Sequence, residues 1–266
     1  MIVVPFVNQK GGVAKTNLTG NVGGELARRG YRVVLVDMDE QSNLSEWALG
    51  LGEEGAPPRV GTQDLFAGAT APPIDELLAD SPAFRLRILP ATYAAMHDLG
   101  PVLLGKPERL NRMLRACETL EPQTDFVLID CPPNAGPFTK AALYAATHVL
   151  IPFKPTQESV SGIQLILSTL AEVREVNDIP LIAVVVTMMR PGNKYHPQIV
   201  EGIHRAFGST PIHIVHERID FQRAVSDGVP ICALRPRSLE AESEIAKIAD
   251  TFEQVAFGSV RSERSA

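Results

Sequence analysis

The sequence predicts a single α/β domain with a mostly parallel, twisted sheet flanked by helices on both faces. Short β-branched runs alternate with helical patterns along most of the chain, which is typical of βαβ units. A glycine-rich turn follows the first of these runs and opens a helix. In addition, 45% of the 266 residues are hydrophobic against 21% charged, so the chain can bury a large core. This composition excludes disorder or a collagen-like repeat for the chain as a whole.

Seven strands are predicted from apolar runs that are rich in β-branched residues. They cover residues 2–7, 32–37, 86–89, 126–130, 148–151, 181–187 and 212–215. Pro5 lies inside the first strand, which is usually central in such a fold, and proline cannot donate a hydrogen bond to the sheet. We therefore expect a bulge or an unpaired N–H position at Pro5.

Helices are predicted where apolar residues recur at helical spacing. One predicted helix ends before Gly30 and a second follows Pro107. Two more cover about residues 158–176 and 239–257. Residues 50–83 break the alternation with five prolines and many glycines, which predicts a surface excursion with at most short helices. The domain is therefore predicted to span residues 1–257, and the small or charged residues 258–266 are predicted to form a disordered tail.

Charge and cysteine content exclude several classes of protein. The chain has 25 Lys and Arg against 31 Asp and Glu, a net charge of −6, so any contact with nucleic acid would need a local basic patch. No apolar run approaches the ~18 residues of a membrane span and no leader pattern is visible, which predicts a cytoplasmic protein. Three widely spaced cysteines argue against a disulfide framework or a structural zinc site.

The strongest motif is a candidate phosphate-binding loop. Residues 8–16 read Asn-Gln-Lys-Gly-Gly-Val-Ala-Lys-Thr, between an apolar strand and an amphipathic helix. Glycines allow backbone N–H groups to converge on phosphate oxygens, and the helix N-terminus adds partial positive charge. Lys15 would meet the β and γ phosphates, and the Thr16 hydroxyl would bind Mg²⁺. The candidate nucleotide-binding residues are Lys10, Gly11, Gly12, Val13, Ala14, Lys15, Thr16 and Asn17.

The spacing departs from the standard phosphate-loop pattern, because Gln9 and Ala14 occupy its two glycine positions and Lys10 adds a second lysine. It resembles the deviant Walker A ATPases of the ParA/MinD group, whose motif K-G-G-x-[GA]-K-[ST] is matched by residues 10–16. The resemblance implies a P-loop domain that uses ATP and Mg²⁺ and dimerises on binding ATP. It also implies that Lys10 is the signature lysine, which reaches the phosphates of the partner subunit and stabilises developing charge there.

Two further segments resemble motifs of the same family. Residues 34–43 end a strand and match its D-x-D-x-Q segment, which implies that Asp39 positions the attacking water and that Asp37 belongs to the magnesium shell. Residues 125–133 form an apolar strand that ends in Asp-Cys-Pro-Pro, the Walker B pattern, so Asp130 would accept hydrogen bonds from Mg²⁺-bound water. Carboxylates at the carboxyl edge of a parallel sheet face the ligand crevice.

The resemblance leaves a choice among family functions. Partition ATPases, among them Soj-like members without an N-terminal helix-turn-helix domain, bind nonspecific DNA as ATP dimers and release it when a ParB-type partner stimulates slow hydrolysis. Related ATPases position a protein cargo, and MinD-like division regulators bind membrane through a C-terminal amphipathic helix. Here the polar face of the last predicted helix is acidic, so anionic lipid would repel it. We therefore expect a nucleoid-associated partition ATPase, with cargo positioning as the first alternative.

Residues 190–223 are the best candidate DNA surface, because they carry five basic and three acidic residues in a chain that is acidic overall. The candidate DNA-binding residues are Arg190, Lys194, Arg218 and Arg223. Compared with the family pattern in this stretch, two expected basic positions are acidic, whereas Arg218 and Arg223 are basic where the family is usually not. A solvated surface with charge scattered by chance is the alternative.

Overall fold

The fold was analysed in a computed structural model, which describes residues 1–51, 56, 58–156, 168, 171, 179–192 and 196–263. The strands are β1 (Ile2–Phe6), β2 (Val33–Asp37), β3 (Ala79–Ser81), β4 (Leu86–Leu89), β5 (Phe126–Asp130), β6 (Val149–Phe153), β7 (Leu181–Met189) and β8 (Ile212–His216). The helices are α1 (Lys15–Arg28), α2 (Asn43–Leu49), α3 (Thr62–Ala67), α4 (Tyr93–Leu104), α5 (Arg112–Leu120), α6 (Pro137–Ala145), α7 (His196–Phe207), α8 (Ile219–Ser226) and α9 (Leu239–Glu263). No helix in these ranges has both the length and the apolar character that a membrane span requires.

The strands form one sheet in the order β3-β4-β2-β5-β1-β6-β7-β8, in which β3 is antiparallel to β4 and the other neighbours are parallel. The strands that precede the phosphate loop and the two carboxylate motifs, β1, β2 and β5, are neighbours at the centre. Since parallel strands end at the same edge, the three predicted motifs meet there.

Two buried clusters sit on opposite faces of the sheet. Alternate residues of β1 enter different clusters, with Val3 in one and Val4 and Phe6 in the other, as the period of a strand requires. The first cluster includes residues of α3–α6, and the second includes residues of α1, α2, α8 and α9. Helices therefore cover both faces, which confirms the predicted fold class.

All seven predicted strands are present, with ends that differ by a few residues. Pro5 is accommodated at an N–H position that faces β6. Val3 and Val7 direct their N–H groups to the β6 side, at Thr147 Oγ1 and the Leu150 carbonyl, so the nitrogen of Pro5 faces that side as well. Only Phe6 pairs in register with β6 there, and β1 keeps its full register with β5. The ladder therefore loses little at Pro5.

The prediction for residues 50–83 was incomplete, because the segment contains β3 as well as the short helix α3. Residues 79–81 have no β-branched side chain and form a strand only because the following turn folds them back on β4. Helix α9 also continues past the predicted end at Phe257 as far as Glu263. A single glycine, Gly258, costs a helix about 1 kcal/mol and the next residues include no proline, so the helix is not broken there. Most of the helix predicted at 158–176 lies outside the described residues.

Candidate active site

The loop that joins β1 to α1 has the backbone conformation of an anion-binding turn. Gly12 and Ala14 have φ values of 69° and 63°, in the left-handed region. Ala14 is the N-cap of α1, and its methyl side chain cannot accept a hydrogen bond from the first turn of the helix. The N–H groups of that turn are therefore available for an anion, which the helix dipole also favours.

Lys15 begins α1 at the carboxyl edge of the sheet and is only 6% exposed. Burial lowers the pKa of its ammonium group, and the carboxylates of Asp130 and Asp39 partly oppose this effect. Its Nζ lies 3.5 Å from the backbone carbonyl of Lys10, so the ammonium is held over the loop. The structure thus places a buried cation where the phosphate-loop motif predicts it.

Asp130, the last residue of β5, is completely buried, and neither of its carboxylate oxygens has a hydrogen-bond partner within the described part of the chain. Burial and the Asp37 carboxylate raise its pKa well above the usual value, whereas the Thr16 hydroxyl, which is near but makes no hydrogen bond of good geometry, and the Lys15 ammonium lower it. A buried carboxylate without partners is costly, and ligand water on a divalent cation would satisfy it. The donor set therefore fits Mg²⁺.

Asp37 occupies the position on β2 that pairs in register with Asp130. It is also completely buried, but its oxygens accept three hydrogen bonds. Oδ1 accepts one from the Asp39 N–H at 3.1 Å, and Oδ2 accepts two from Ser45, from the N–H at 2.9 Å and the hydroxyl at 2.7 Å. Burial nevertheless raises the pKa of Asp37 to about 7. These contacts fix α2 to the end of β2, and a place for Asp37 in the magnesium shell stays a prediction.

Asp39 follows two residues later and is 8% exposed. Its Oδ1 accepts a hydrogen bond from the Gln41 N–H at 3.0 Å, and in the described part of the chain Oδ2 has no hydrogen-bond partner. Burial raises the pKa of Asp39, while the Gln41 N–H and Lys15 oppose the change. The side chain lines the same cleft as the phosphate loop, so it can reach a ligand there.

Lys15 and Asp39 line a cleft of about 710 Å³ with two chemically different ends, whereas the fully buried Asp37 and Asp130 do not line it. One end is formed by Gly11–Asn17 together with Asp39, and the other by the ends of β7 and β8 and by α8. The α8 end is partly apolar, with Val215, Phe221 and Val225, which suits a heteroaromatic base.

The apolar residues of α8 were not predicted as part of a base pocket. Thr187 and Met188 at the end of β7 line this part of the cleft as well. Phe221 and Val225 were missed, because one apolar residue per helical turn is also the pattern of ordinary core packing.

Lys10 does not line the cleft in this structure. Its Nζ donates a hydrogen bond to Thr156 Oγ1 at 3.1 Å, and its N–H donates to Asn8 Oδ1 at 2.9 Å. Asn8 in turn donates to the Pro152 carbonyl at 2.6 Å, so the first part of the loop is attached to the end of β6. The other seven predicted nucleotide-binding residues line the cleft: Gly11, Gly12, Val13, Ala14, Lys15, Thr16 and Asn17.

The described candidate DNA-binding residues each contact a carboxylate. Arg190 pairs with Glu217, Arg223 with Asp220 at 2.8 Å, and Arg218 with Glu240 and with Glu244 at 3.1 Å. Arg218 also lines the cleft, and its buried Nε has no hydrogen-bond partner within the described ranges. Lys194 lies outside the described residues. The structure therefore places these arginines in separate ion pairs, and their contact with DNA stays a prediction.

A metal site made of protein ligands alone is not found in the described ranges, where no three His, Cys, Asp or Glu side chains converge. Mg²⁺ usually binds through one or two carboxylates together with substrate phosphates and water. Asp130 beside the phosphate loop matches that mode of binding.

Comparison with known proteins agrees with this geometry. A family model described as an AAA domain matches residues 1–181. The sporulation initiation inhibitor protein Soj of Bacillus subtilis is 32% identical over 90% of this chain and 94% of its own length. The chain belongs to the Soj/ParA family of P-loop ATPases. The chromosome-partitioning ATPase Soj of Treponema pallidum, at 31% identity over 90% of this chain and 92% of its own, is another relative.

Solved structures confirm the ParA/MinD-type fold. The ATP complex of a Cyanothece McdA variant superposes with a TM-score of 0.83, at 16% identity over 95% of this chain and 96% of that one. Cobyrinic acid a,c-diamide synthase from Mycobacterium smegmatis, bound to an ATP analogue and magnesium, gives a TM-score of 0.75 at 25% identity over 94% and 93% of the two chains. The first of these structures holds ATP, and the second holds an ATP analogue and magnesium.

Proposed function

We propose that this chain is a partition ATPase that binds Mg·ATP in the cleft and dimerises on ATP. The dimer holds nonspecific duplex DNA until a ParB-type partner stimulates slow hydrolysis. The observation that carries the proposal is the buried, unpartnered Asp130 carboxylate beside Lys15 and Thr16 at the end of a phosphate loop, within the described part of the chain. Such a cluster costs stability and is explained by a cationic, phosphate-bearing ligand.

In this proposal the residues of the cleft and the two buried carboxylates next to it have separate tasks. The N–H groups of Gly11–Thr16 and the Lys15 ammonium bind the phosphates, and Asp130, Thr16 and Asp37 hold Mg²⁺. When bound, Mg²⁺ neutralises charge on the transferring phosphoryl group. Asp39 orients the attacking water, since its Oδ2 is the carboxylate oxygen that its own loop leaves without a hydrogen bond.

Lys10 is assigned to the partner subunit's nucleotide. Its side chain starts from the loop but points to Thr156 rather than into its own cleft, which supports a role in another site. A lysine delivered into a closed interface stabilises transition-state charge, as an arginine finger does. Lys10→Ala should therefore impair dimerisation and hydrolysis more than it impairs ATP binding.

The DNA surface is assigned to residues 190–223 of the ATP dimer. Arg190 is the most exposed of the described candidates, with 69% of its side chain accessible. Phosphate contacts of this kind release counterions, so the affinity for DNA falls steeply with salt. This activity places the protein in the cytoplasm on the nucleoid.

The decisive experiment measures binding to random-sequence duplex DNA without nucleotide, with ADP and with ATP, at two salt concentrations. The wild type is expected to bind only with ATP and more weakly at the higher salt, and Lys10→Ala is expected not to bind. Arg190→Glu should weaken binding, whereas Arg115→Glu, which alters an exposed arginine on α5 outside residues 190–223, is the matched control. Affinity that needs no nucleotide or ignores salt would contradict the proposal.

A protein that dimerises on ATP but binds no DNA in any nucleotide state would favour the positioning of a protein cargo instead. One observation favours this alternative: Arg190, Arg218 and Arg223 each form an ion pair, and each pair reduces the positive potential of the surface. Sedimentation with anionic vesicles in the presence of ATP tests the MinD-like alternative, for which we expect no binding.

A further inference from the structure

The only tryptophan of the chain, Trp47, lies on α2 and is 4% exposed. It does not line the cleft, yet its indole N–H points at the end of α8, the helix that forms the apolar end of the cleft. Nε1 is 3.1 Å from the carbonyl of Ala224 and 3.1 Å from that of Val229. The Ala224 carbonyl also accepts the Val229 N–H at 3.0 Å, so the indole N–H is a second donor to the last turn of α8 and also contacts the Val229 carbonyl just beyond that helix.

The indole ring also contacts the helix that begins at the phosphate loop. A Cβ atom on Gly20 of α1 would lie 2.3 Å from Trp47 Cζ3, so the ring occupies space that only a glycine leaves open. Trp47 also packs edge to face against Phe84, with the ring centroids 5.0 Å apart. Trp47 is therefore packed against α1 while it is hydrogen-bonded to the end of α8.

Two more contacts join α1 to the segment that follows α8. Asn21 accepts a hydrogen bond from the Ile231 N–H at 2.6 Å and donates to the carbonyl of Asn17, a cleft residue, at 2.8 Å. A Cβ atom on Gly24 would lie 2.5 Å from Pro230 Cβ. The chain after α8 is thus held to α1, and among these contacts Trp47 supplies the hydrogen bond to α8 itself, at the Ala224 carbonyl.

Near its N-terminus, helix α2 is attached to the Asp37 carboxylate. Ser45, two residues before Trp47, donates two hydrogen bonds to Asp37 and accepts one from the Ala91 N–H at 2.8 Å. These buried contacts leave α2 little freedom to shift. Helix α2 therefore connects Asp37, at the end of β2, with the last turn of α8.

We propose that Trp47 is a positioning residue for the nucleoside: by holding α8 through the indole N–H, it sets the base end of the cleft at the distance from the phosphate loop that a purine nucleotide requires. The inference rests on the proposed nucleotide site. Removing the N–H lets α8 move away and weakens contacts to the base. Contacts to the phosphates come from the loop and from α1, and they remain.

The test separates the two ends of the ligand by comparing ATP with inorganic tripolyphosphate, which has no base. Trp47→Phe keeps an aromatic ring and loses the N–H donor. Isothermal titration in the presence of Mg²⁺ is expected to show that this variant binds ATP about tenfold more weakly, because the displaced α8 loses contacts to the base, and binds tripolyphosphate less than about twofold more weakly. Phe84→Leu is the matched control, because it disturbs the same aromatic pair without removing the donor. It should change neither affinity by more than about twofold.

A second measurement needs no variant, so it holds even if Trp47→Phe fails to fold. Trp47 is the only tryptophan, and its emission is expected to shift when ATP or ADP binds and to stay unchanged with tripolyphosphate. Equal weakening of both ligands by Trp47→Phe, or of neither, would overturn the inference, as would the same emission change with tripolyphosphate. A wild type that binds no ATP would overturn the proposed function, whereas a Trp47→Phe protein with wild-type ATP affinity would overturn this inference alone.

Discussion

Asp37 and Asp130 occupy paired positions at the ends of β2 and β5, and both side chains are completely buried. Their surroundings differ: the oxygens of Asp37 accept hydrogen bonds from Asp39 and Ser45, whereas those of Asp130 have no such partner in the described part of the chain. The two adjacent carboxylates, which both have raised pKa values, therefore have different structural roles. One attaches α2 to the sheet, and the other faces the phosphate loop.

Asp130→Asn should stabilise the nucleotide-free protein by about 1–3 kcal/mol at neutral pH, since it replaces a buried carboxylate that lacks hydrogen bonds within the described ranges. The folded-state pKa of Asp130 is raised above its unfolded value, so wild-type stability is lost as pH rises from about 4 through the folded pKa. The advantage of the variant should consequently grow with pH. Urea unfolding at several pH values measures it, and an advantage that shrinks with rising pH would be inconsistent with this account.

The same variant should lose the stabilisation that Mg·ATP gives to the wild type. Thermal unfolding with and without Mg·ATP measures this loss. A full ligand-induced shift in the melting temperature of Asp130→Asn would show that Asp130 has no part in holding the metal.

Lys15→Ala should weaken ATP binding by about a hundredfold, because a buried, charge-assisted contact to phosphate is lost. Stability should change little or improve, since burial of the ammonium lowers its pKa and so already works against the charged form. Titration calorimetry with ATP is the measurement. Lys247→Ala, on an exposed position of α9, is the control and should bind like the wild type.

Asp39→Asn should lower the hydrolysis rate by about 10²–10³-fold while ATP affinity stays within a few-fold of the wild type. The reason is that Asp39 lines the cleft with one oxygen unused by its own loop, whereas the phosphates are bound by other groups. Single-turnover hydrolysis together with ATP titration separates the two effects. The neighbouring change Glu40→Gln should retain hydrolysis, and equal losses in both variants would argue against a specific role for Asp39.

Ser45→Ala should destabilise the protein by about 1–2 kcal/mol, because it removes a hydroxyl that is buried between Asp37 and the Ala91 N–H. The urea midpoint measures the change. Ser243→Ala, at an exposed position of α9, should stay within about 0.5 kcal/mol of the wild type. A similar midpoint for both variants would mean that the Ser45 hydroxyl is not needed to hold α2.

Gly20→Ala should destabilise the protein by about 2 kcal/mol or more, since the added methyl group would meet the Trp47 ring at 2.3 Å. Gly202→Ala provides the opposite case, because no atom of the described residues lies within 4 Å of its Cβ position on α7. That variant should gain about 0.5–1 kcal/mol from helix propensity. Thermal unfolding of the two proteins is expected to shift in opposite directions.

Much of the site could be predicted from the sequence because its signals are local. The phosphate loop lies within nine consecutive residues, and Asp37, Asp39 and Asp130 each lie at or just after the end of an apolar strand. In a parallel sheet such strand ends share one edge, so the clustering of these groups follows from the fold class. The acidic residues that pair with Arg190, Arg218 and Arg223 were visible in the sequence, but the pairing was not, because it depends on how β8, α8 and α9 pack.

The sequence by itself determined the alternation of strands and helices, the phosphate loop and the carboxylates that face it, since each is encoded by neighbouring residues. Only the tertiary structure decided which groups are satisfied and which segments are joined. Trp47 meets the carbonyl of Ala224 across 177 residues of chain, and β3 becomes a strand only by pairing with β4. Contacts of this kind leave no periodic pattern, because they depend on the final packing of surfaces from distant segments and not on the propensity of any one of them.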